Sequence, residues 1–114
     1  METTERPWGT YTVIDESDTF KVKRITVEPG QRLSYQTHEH RSEYWTIVKG
    51  HGTVTLEDGE EKSVQVGDAI YIEKNDPHRI SNVGEAPLVF IEVQLGDYLG
   101  EDDIVRLEDD YNRE

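Results

Sequence analysis

The sequence predicts an all-β fold, an antiparallel β-barrel or sandwich, on three observations. Its apolar residues fall into short runs of strand length rather than into a helical period. Turn pairs such as Pro29-Gly30, Asp58-Gly59 and Gly67-Asp68 separate those runs at regular spacing. No segment carries a convincing amphipathic helix, so the layers that bury the apolar faces must be sheets.

Taken in order, an N-terminal arm, Glu5-Arg6-Pro7-Trp8-Gly9, precedes a strand over 9–16, and Trp8 is expected to pack against the body or a partner chain. Phe20, Val22, Ile25 and Val27 mark a strand over 20–27. That strand also holds Lys21, Lys23 and Arg24. They read as charges guarding an edge strand or, for Lys23 and Arg24, equally as groups reaching into a site. After the turn Glu28-Pro29-Gly30, strands are expected over 33–38 and 42–49, then a turn at Gly50-His51-Gly52 and a strand over 53–57. Asp58-Gly59 signals a tight two-residue hairpin into 62–66. Strands over 69–73, 78–83 and 88–95 complete a set of about nine. The tail from Gly96 reads as an acidic solvated segment or, through Ile104, Val105 and Leu107, as one more short strand. Closing such a sheet removes exposed edges and opens an interior mouth for a ligand.

The 114 residues suit one domain, and no internal boundary or repeat divides them. Without cysteine there is neither a disulfide framework nor a thiolate metal site. The start lacks the apolar core of a signal peptide, and no run is long enough to span a bilayer, so a cytoplasmic protein is expected. Acidic residues outnumber basic ones 25 to 12, which argues against nucleic acid and anionic membrane as partners. The same charge repels an anionic substrate at long range, so any phosphate site must be a local basic pocket.

The densest set of coordinating groups lies between Gly30 and Trp45. Gln36, His38 and His40 alternate, and in an extended strand alternate residues share a face. Glu43 follows across a short bend. Imidazole, carboxylate and amide oxygen together suit a borderline divalent metal, although the same residues would also suit a solvated hairpin. A second stretch, from Gly67 to Asn82, runs likewise from a glycine turn through an apolar strand to a histidine, His78.

The pair of stretches resembles the two motifs of the cupin superfamily. Gly30, His38, Glu43 and Gly50 fall in register with the first, and Gly67, His78 and Asn82 with the second. Glu73 and Asn75 stand where the second motif usually has a turn proline and glycine. Several segments are more specifically similar to the type II phosphomannose isomerases. These often form the C-terminal domain of enzymes that also carry a mannose-1-phosphate guanylyltransferase. The similar segments are Arg6-Pro7-Trp8-Gly9, the run from Phe20 to Ile25, the run from Leu33 to Glu43, His78-Arg79, and Ile91 to Arg106. Gln36 before His38 is that group's own pattern, whereas Tyr44 stands where the group usually has histidine before the tryptophan.

The resemblance implies a single cupin-type barrel (a double-stranded β-helix, or jelly roll) over residues 1–114, here as a stand-alone domain. It implies one divalent ion held by Gln36, His38, Glu43 and His78. Zinc comes first, with manganese, cobalt, nickel or iron as alternatives, and His40 lies outside the ligand set. It implies interconversion of mannose 6-phosphate and fructose 6-phosphate, a proton shift between adjacent carbons. His40, Glu92 and Glu101 are the candidate catalytic bases, while Arg41, Arg79, Lys23 and Arg106 are the candidate phosphate ligands, since guanidinium binds phosphate bidentately. A homodimer is expected, as cupins commonly pair. Two other functions remain open: a cupin module that binds a sugar or sugar phosphate without turnover, and another metal-dependent cupin reaction such as oxygenation.

Overall fold

The structure, a computed structural model, describes residues 1–113. Eleven strands form among the described residues: β1 (Thr3–Arg6), β2 (Gly9–Glu16), β3 (Phe20–Val27), β4 (Tyr35–Thr37), β5 (Arg41–Lys49), β6 (His51–Thr55), β7 (Glu61–Gln65), β8 (Ala69–Ile72), β9 (Arg79–Ser81), β10 (Leu88–Gly96) and β11 (Val105–Glu108). Helix is limited to one 3-10 turn at Glu57–Gly59. Among these residues no helix is long and apolar enough to cross a membrane.

One wall is a six-stranded antiparallel sheet in the order β1-β2-β3-β10-β5-β8. The other joins β11-β4 to β7-β6-β9 through the bridges Arg32↔Ser81 and Gln36↔His78. Alternation decides what each wall buries. On β10, Leu88, Phe90, Glu92 and Gln94 point inward, and Val89, Ile91, Val93 and Leu95 lie on the other face. The inner faces enclose Val27, Trp45, Ile47, Val54, Ile80, Leu88 and Phe90. This is the expected antiparallel barrel, apolar at one end, with charged and polar side chains turned inward toward the other.

Three local expectations change, and the open reading of the tail is decided for a strand. The arm is a strand, β1, paired with β2, and Trp8 lies in the chain's own core at 7% exposure. The turn after β5 is Gly50 alone, at φ +78°, where a Cβ would meet the Pro87 carbonyl at 2.6 Å. His51 and Gly52 already belong to β6. The hairpin at Asp58-Gly59 is wider than a two-residue turn, because Leu56 N–H donates to the Glu60 carbonyl at 2.7 Å and residues 57–59 form the loop. The tail forms β11 beside β4.

A candidate metal centre at the floor of a basic cavity

Three elements bring the ligand candidates together. β4 and the bend after it carry Gln36 and His38, β5 carries Glu43, and the residue before β9 is His78. Ligand atoms of His38, Glu43 and His78 all lie within 4.8 Å of one another, and all three residues are buried. The register is held by backbone bonds. Gln36 and His78 exchange both N–H···O bonds at 3.0 Å, and Asn75 N–H donates to the His38 carbonyl at 2.7 Å. Asn75 has φ +65°, the left-handed conformation asparagine tolerates, so it does the work of the motif's glycine.

The donor set fits a divalent ion. His38 Nδ1 lies 2.7 Å from the Asp103 carbonyl and His78 Nδ1 lies 2.8 Å from the Asp76 carbonyl. A carbonyl only accepts, so both Nδ1 atoms carry the proton and both Nε2 atoms offer a lone pair, the arrangement typical of metal-ligating histidines. Those Nε2 atoms stand 3.2 Å and 3.8 Å from the Glu43 carboxylate. Burial pushes His38 down to about 4, so its ring is neutral at physiological pH. Gln36 Nε2 donates to the Ser34 carbonyl at 3.2 Å, which leaves Oε1 as the atom a cation would use.

Glu43 is the centre of the polar network. It accepts from Trp45 Nε1 at 3.0 Å and from Arg41 Nε at 2.7 Å. Burial works against its ionisation, yet the Arg41 guanidinium holds its carboxyl well below the usual range. Glu92 hydrogen-bonds to it and moves the other way, pushed up to about 8 by burial and then by the Glu43 charge. Glu92 also accepts from Gln94 Nε2 at 2.6 Å. Arg41 Nη2 also reaches His38 Nε2 at 3.4 Å, a contact that suits a lone pair on that nitrogen.

Above this floor opens a cavity of about 100 Å³, which Gln36, His38, Glu43 and His78 line together. Glu101 enters it from the tail, its oxygens 2.9 Å from Lys23 Nζ. Burial opposes ionisation of Glu101, but Lys23 brings its carboxyl below the ordinary value. Lys23 is buried, whereas Arg24 is exposed, which settles the alternation of β3. Lys21 bonds to Glu101 and the Leu99 carbonyl from outside.

Two sequence expectations are corrected by placement. His40 does not share the face of Gln36 and His38. The strand ends at Thr37, and the bend after it turns His40 outward beside Asp97, at 3.6 Å, and the Tyr98 ring. It is not among the residues that line the cavity. Arg79 also lies outside. Its Nε donates to the Leu33 carbonyl at 3.0 Å and its Nη1 to Glu108 at 2.5 Å, so it fastens β11 to the barrel. Of the other expected phosphate ligands, Arg41, Lys23 and Arg106 line the cavity. Arg6 and Arg113 line it too and were missed. Their only sequence signals are the Arg6-Pro7-Trp8-Gly9 segment and a basic residue in an acidic tail. Tyr44, the departure from the group's pattern, is 47% exposed and packs on Tyr71 on the outer face, away from Glu43 at 1%.

Several known proteins are similar to this chain. The xanthan biosynthesis protein XanB of Xanthomonas campestris pv. campestris is 52% identical over 108 residues, covering 95% of this chain and 23% of that protein. The mannose-1-phosphate guanylyltransferase ManC of Salmonella typhimurium is 49% identical, covering 95% and 22%. The chain therefore spans less than a quarter of the length of these curated relatives. Among solved structures, a Klebsiella pneumoniae protein with a double-stranded β-helix domain superposes with a TM-score of 0.76 at 23% identity, covering 85% of this chain and 82% of that one. Bacillus subtilis oxalate decarboxylase, described with Mn(II) centres, superposes at 0.78 with 28% identity, covering 94% and 30%. The model of the mannose-6-phosphate isomerase C-terminal family matches residues 1–109, and the chain belongs to that cupin family.

Proposed function

We propose that the chain is a metal-dependent sugar-phosphate isomerase that interconverts mannose 6-phosphate and fructose 6-phosphate. The observation that carries this reading is the convergence of His38, Glu43 and His78 on the floor of a cavity into which the ionised Glu101 also opens. The family's description and ManC's name both concern mannose phosphates. The conversion moves one proton from carbon 2 of the aldose to carbon 1 and a second from the carbon-2 hydroxyl to the carbon-1 oxygen, so that carbonyl and hydroxyl exchange places.

His38, Glu43 and His78, with Gln36 beside them, would hold the ion, and the manganese of oxalate decarboxylase is consistent with such a site. A divalent cation there supplies Lewis acidity to the two sugar oxygens. Glu101 is the base, because it lies in the cavity as a carboxylate and Lys23 fixes its position. Trp45 and Glu92 hold the Glu43 carboxylate in orientation through their hydrogen bonds. Trp8, Ile25, Leu33 and Trp45 line the walls and limit water around the reacting carbons. A cytoplasmic setting goes with a sugar-phosphate substrate. One observation favours a binding module without turnover instead: Arg41 already supplies a cation to Glu43.

The test is exchange in deuterated water with metal-loaded protein. Mannose 6-phosphate should gain deuterium at carbon 2 or give fructose 6-phosphate. Glu101→Gln should lower kcat by about 10²- to 10⁴-fold with little change in KM. Binding of mannose 6-phosphate with neither product nor exchange would replace the isomerase with the binding module.

A further inference from the structure

Three arginines converge on the cavity from the two ends of the chain. Arg6 ends β1, Arg106 lies in β11, and Arg113 is the last described residue, yet all three line the cavity that holds the metal-ligand candidates. Arg106 stands directly opposite Gln36 across the β4–β11 pair, and Gln36 is bridged in turn to His78. Its Cα is thus one strand spacing from one ligand position and two from another, about 5 Å and 10 Å. Each arginine is held in place. Arg113 is fixed by Asp109 at 3.0 Å through both Nε and Nη2. Arg6 donates to the Glu5 carbonyl at 3.0 Å and the Tyr11 hydroxyl at 3.3 Å, and among the described residues no carboxylate pairs with it. The three charges act on one another: burial, then the charges of Arg113 and Arg6, hold the Arg106 guanidinium below its ordinary value, with Asp109 opposing.

Gathering three of only 12 basic residues at one opening, in a chain of net charge -13, works against the fold through mutual repulsion. The other two cations of the cavity sit at the cluster itself, Lys23 on Glu101 at 2.9 Å and Arg41 on Glu43 at 2.7 Å. We infer that Arg6, Arg106 and Arg113 form an anion subsite for the dianionic phosphate of a phosphomonoester whose sugar end reaches the His38–Glu43–His78 cluster. This rests on reading that cluster as the reaction centre. Guanidinium forks suit phosphate oxygens, and a dianion relieves the repulsion among the three. The substrate class follows from the isomerisation proposed above. The phosphate must sit at the end of the sugar remote from the carbonyl, as in an aldose 6-phosphate. A sugar 1-phosphate would bring its charge to the ligand carboxylate and has no free carbonyl to isomerise.

Calorimetric titration of the metal-loaded chain tests this directly, with mannose 6-phosphate, mannose 1-phosphate, mannose and inorganic phosphate as probes. Arg6→Gln, Arg106→Gln and Arg113→Gln should each weaken mannose 6-phosphate at least 10-fold, leave the affinity for mannose unchanged and keep the metal content. Arg24→Gln, an exposed substitution on the outer face, should stay within twofold. Arg106→Lys, which keeps the charge and the packing of β11, should lose affinity through loss of the fork alone. If the cavity variants match Arg24→Gln, or the parent binds mannose as tightly as mannose 6-phosphate, the subsite is overturned, even with isomerisation intact. If the affinity pattern holds without any turnover, the subsite stands and the isomerase reading falls.

Discussion

The carboxyls of Glu43 and Glu92 meet at the barrel floor shifted in opposite directions, and the Glu92 shift has a measurable consequence. Glu92 titrates near 4.5 in an unfolded chain and near 8 in the fold, so the folded state holds a proton that the unfolded state releases across that window. Stability from this group is complete below the lower value and is lost as pH rises through the upper one. In chelator-treated protein, thermal melts from pH 5 to 9 should show a falling midpoint that Glu92→Gln flattens; parallel curves would refute the assignment. His78→Ala removes one imidazole from the ligand cluster. Metal content after dialysis should fall to background while the far-UV spectrum stays that of a β-protein. The four ligand candidates were legible through their register with the two cupin motifs, which alternation alone does not separate from His40. His40 was misread because alternation holds only while a strand continues, and β4 stops at Thr37.

The tail element shows how sites are finished by long-range contacts. Asp103 accepts the backbone N–H groups of Glu39 and His40 at 2.9 Å and 3.0 Å, while its carbonyl takes the His38 Nδ1 proton. It therefore positions a ligand it does not itself replace. Asp103→Ala keeps that carbonyl but frees the Glu39 and His40 N–H groups, so it should lower metal affinity only by loosening the bend that carries His38, with little change in the spectrum. Arg79 joins the same tail to the barrel through Leu33 and Glu108. Losing its charged hydrogen bonds should cost about 2 kcal/mol in denaturant unfolding, and proteolysis should open the tail first. Most strands were readable within a residue or two from runs and turns. β1 and β11 were not firmly readable, because both are short, polar pieces whose pairing depends on neighbours distant in sequence or set by a turn. For the same reason the contribution of Arg6 and Arg113 to the cavity was invisible before the two termini were placed.

At the scale of the molecule, the outer face of the six-stranded sheet is unusual for so acidic a chain. Tyr71, Tyr44, Val93 and Val22 form one continuous cross-strand row, and Val89, Ile91 and Leu95 share the face. Two copies could meet there about a two-fold axis without opposing their acidic surfaces, so a homodimer across this face is proposed. Trp8 takes no part, being buried in its own chain. Sedimentation at micromolar concentration should show a dimer that Tyr44→Asp converts to monomer. A parent protein that sediments only as monomer would exclude it.

The proposed chemistry depends on one ion at the barrel floor. Anomalous diffraction from crystals grown with zinc or manganese tests that most directly. The expected result is a single strong peak bonded by His38 Nε2, His78 Nε2 and a Glu43 oxygen, at about 2.0–2.2 Å for zinc, with Gln36 beside it and Arg41 swung off the carboxylate. A peak elsewhere, or none at this cluster while Arg41 keeps its bond to Glu43, would contradict it.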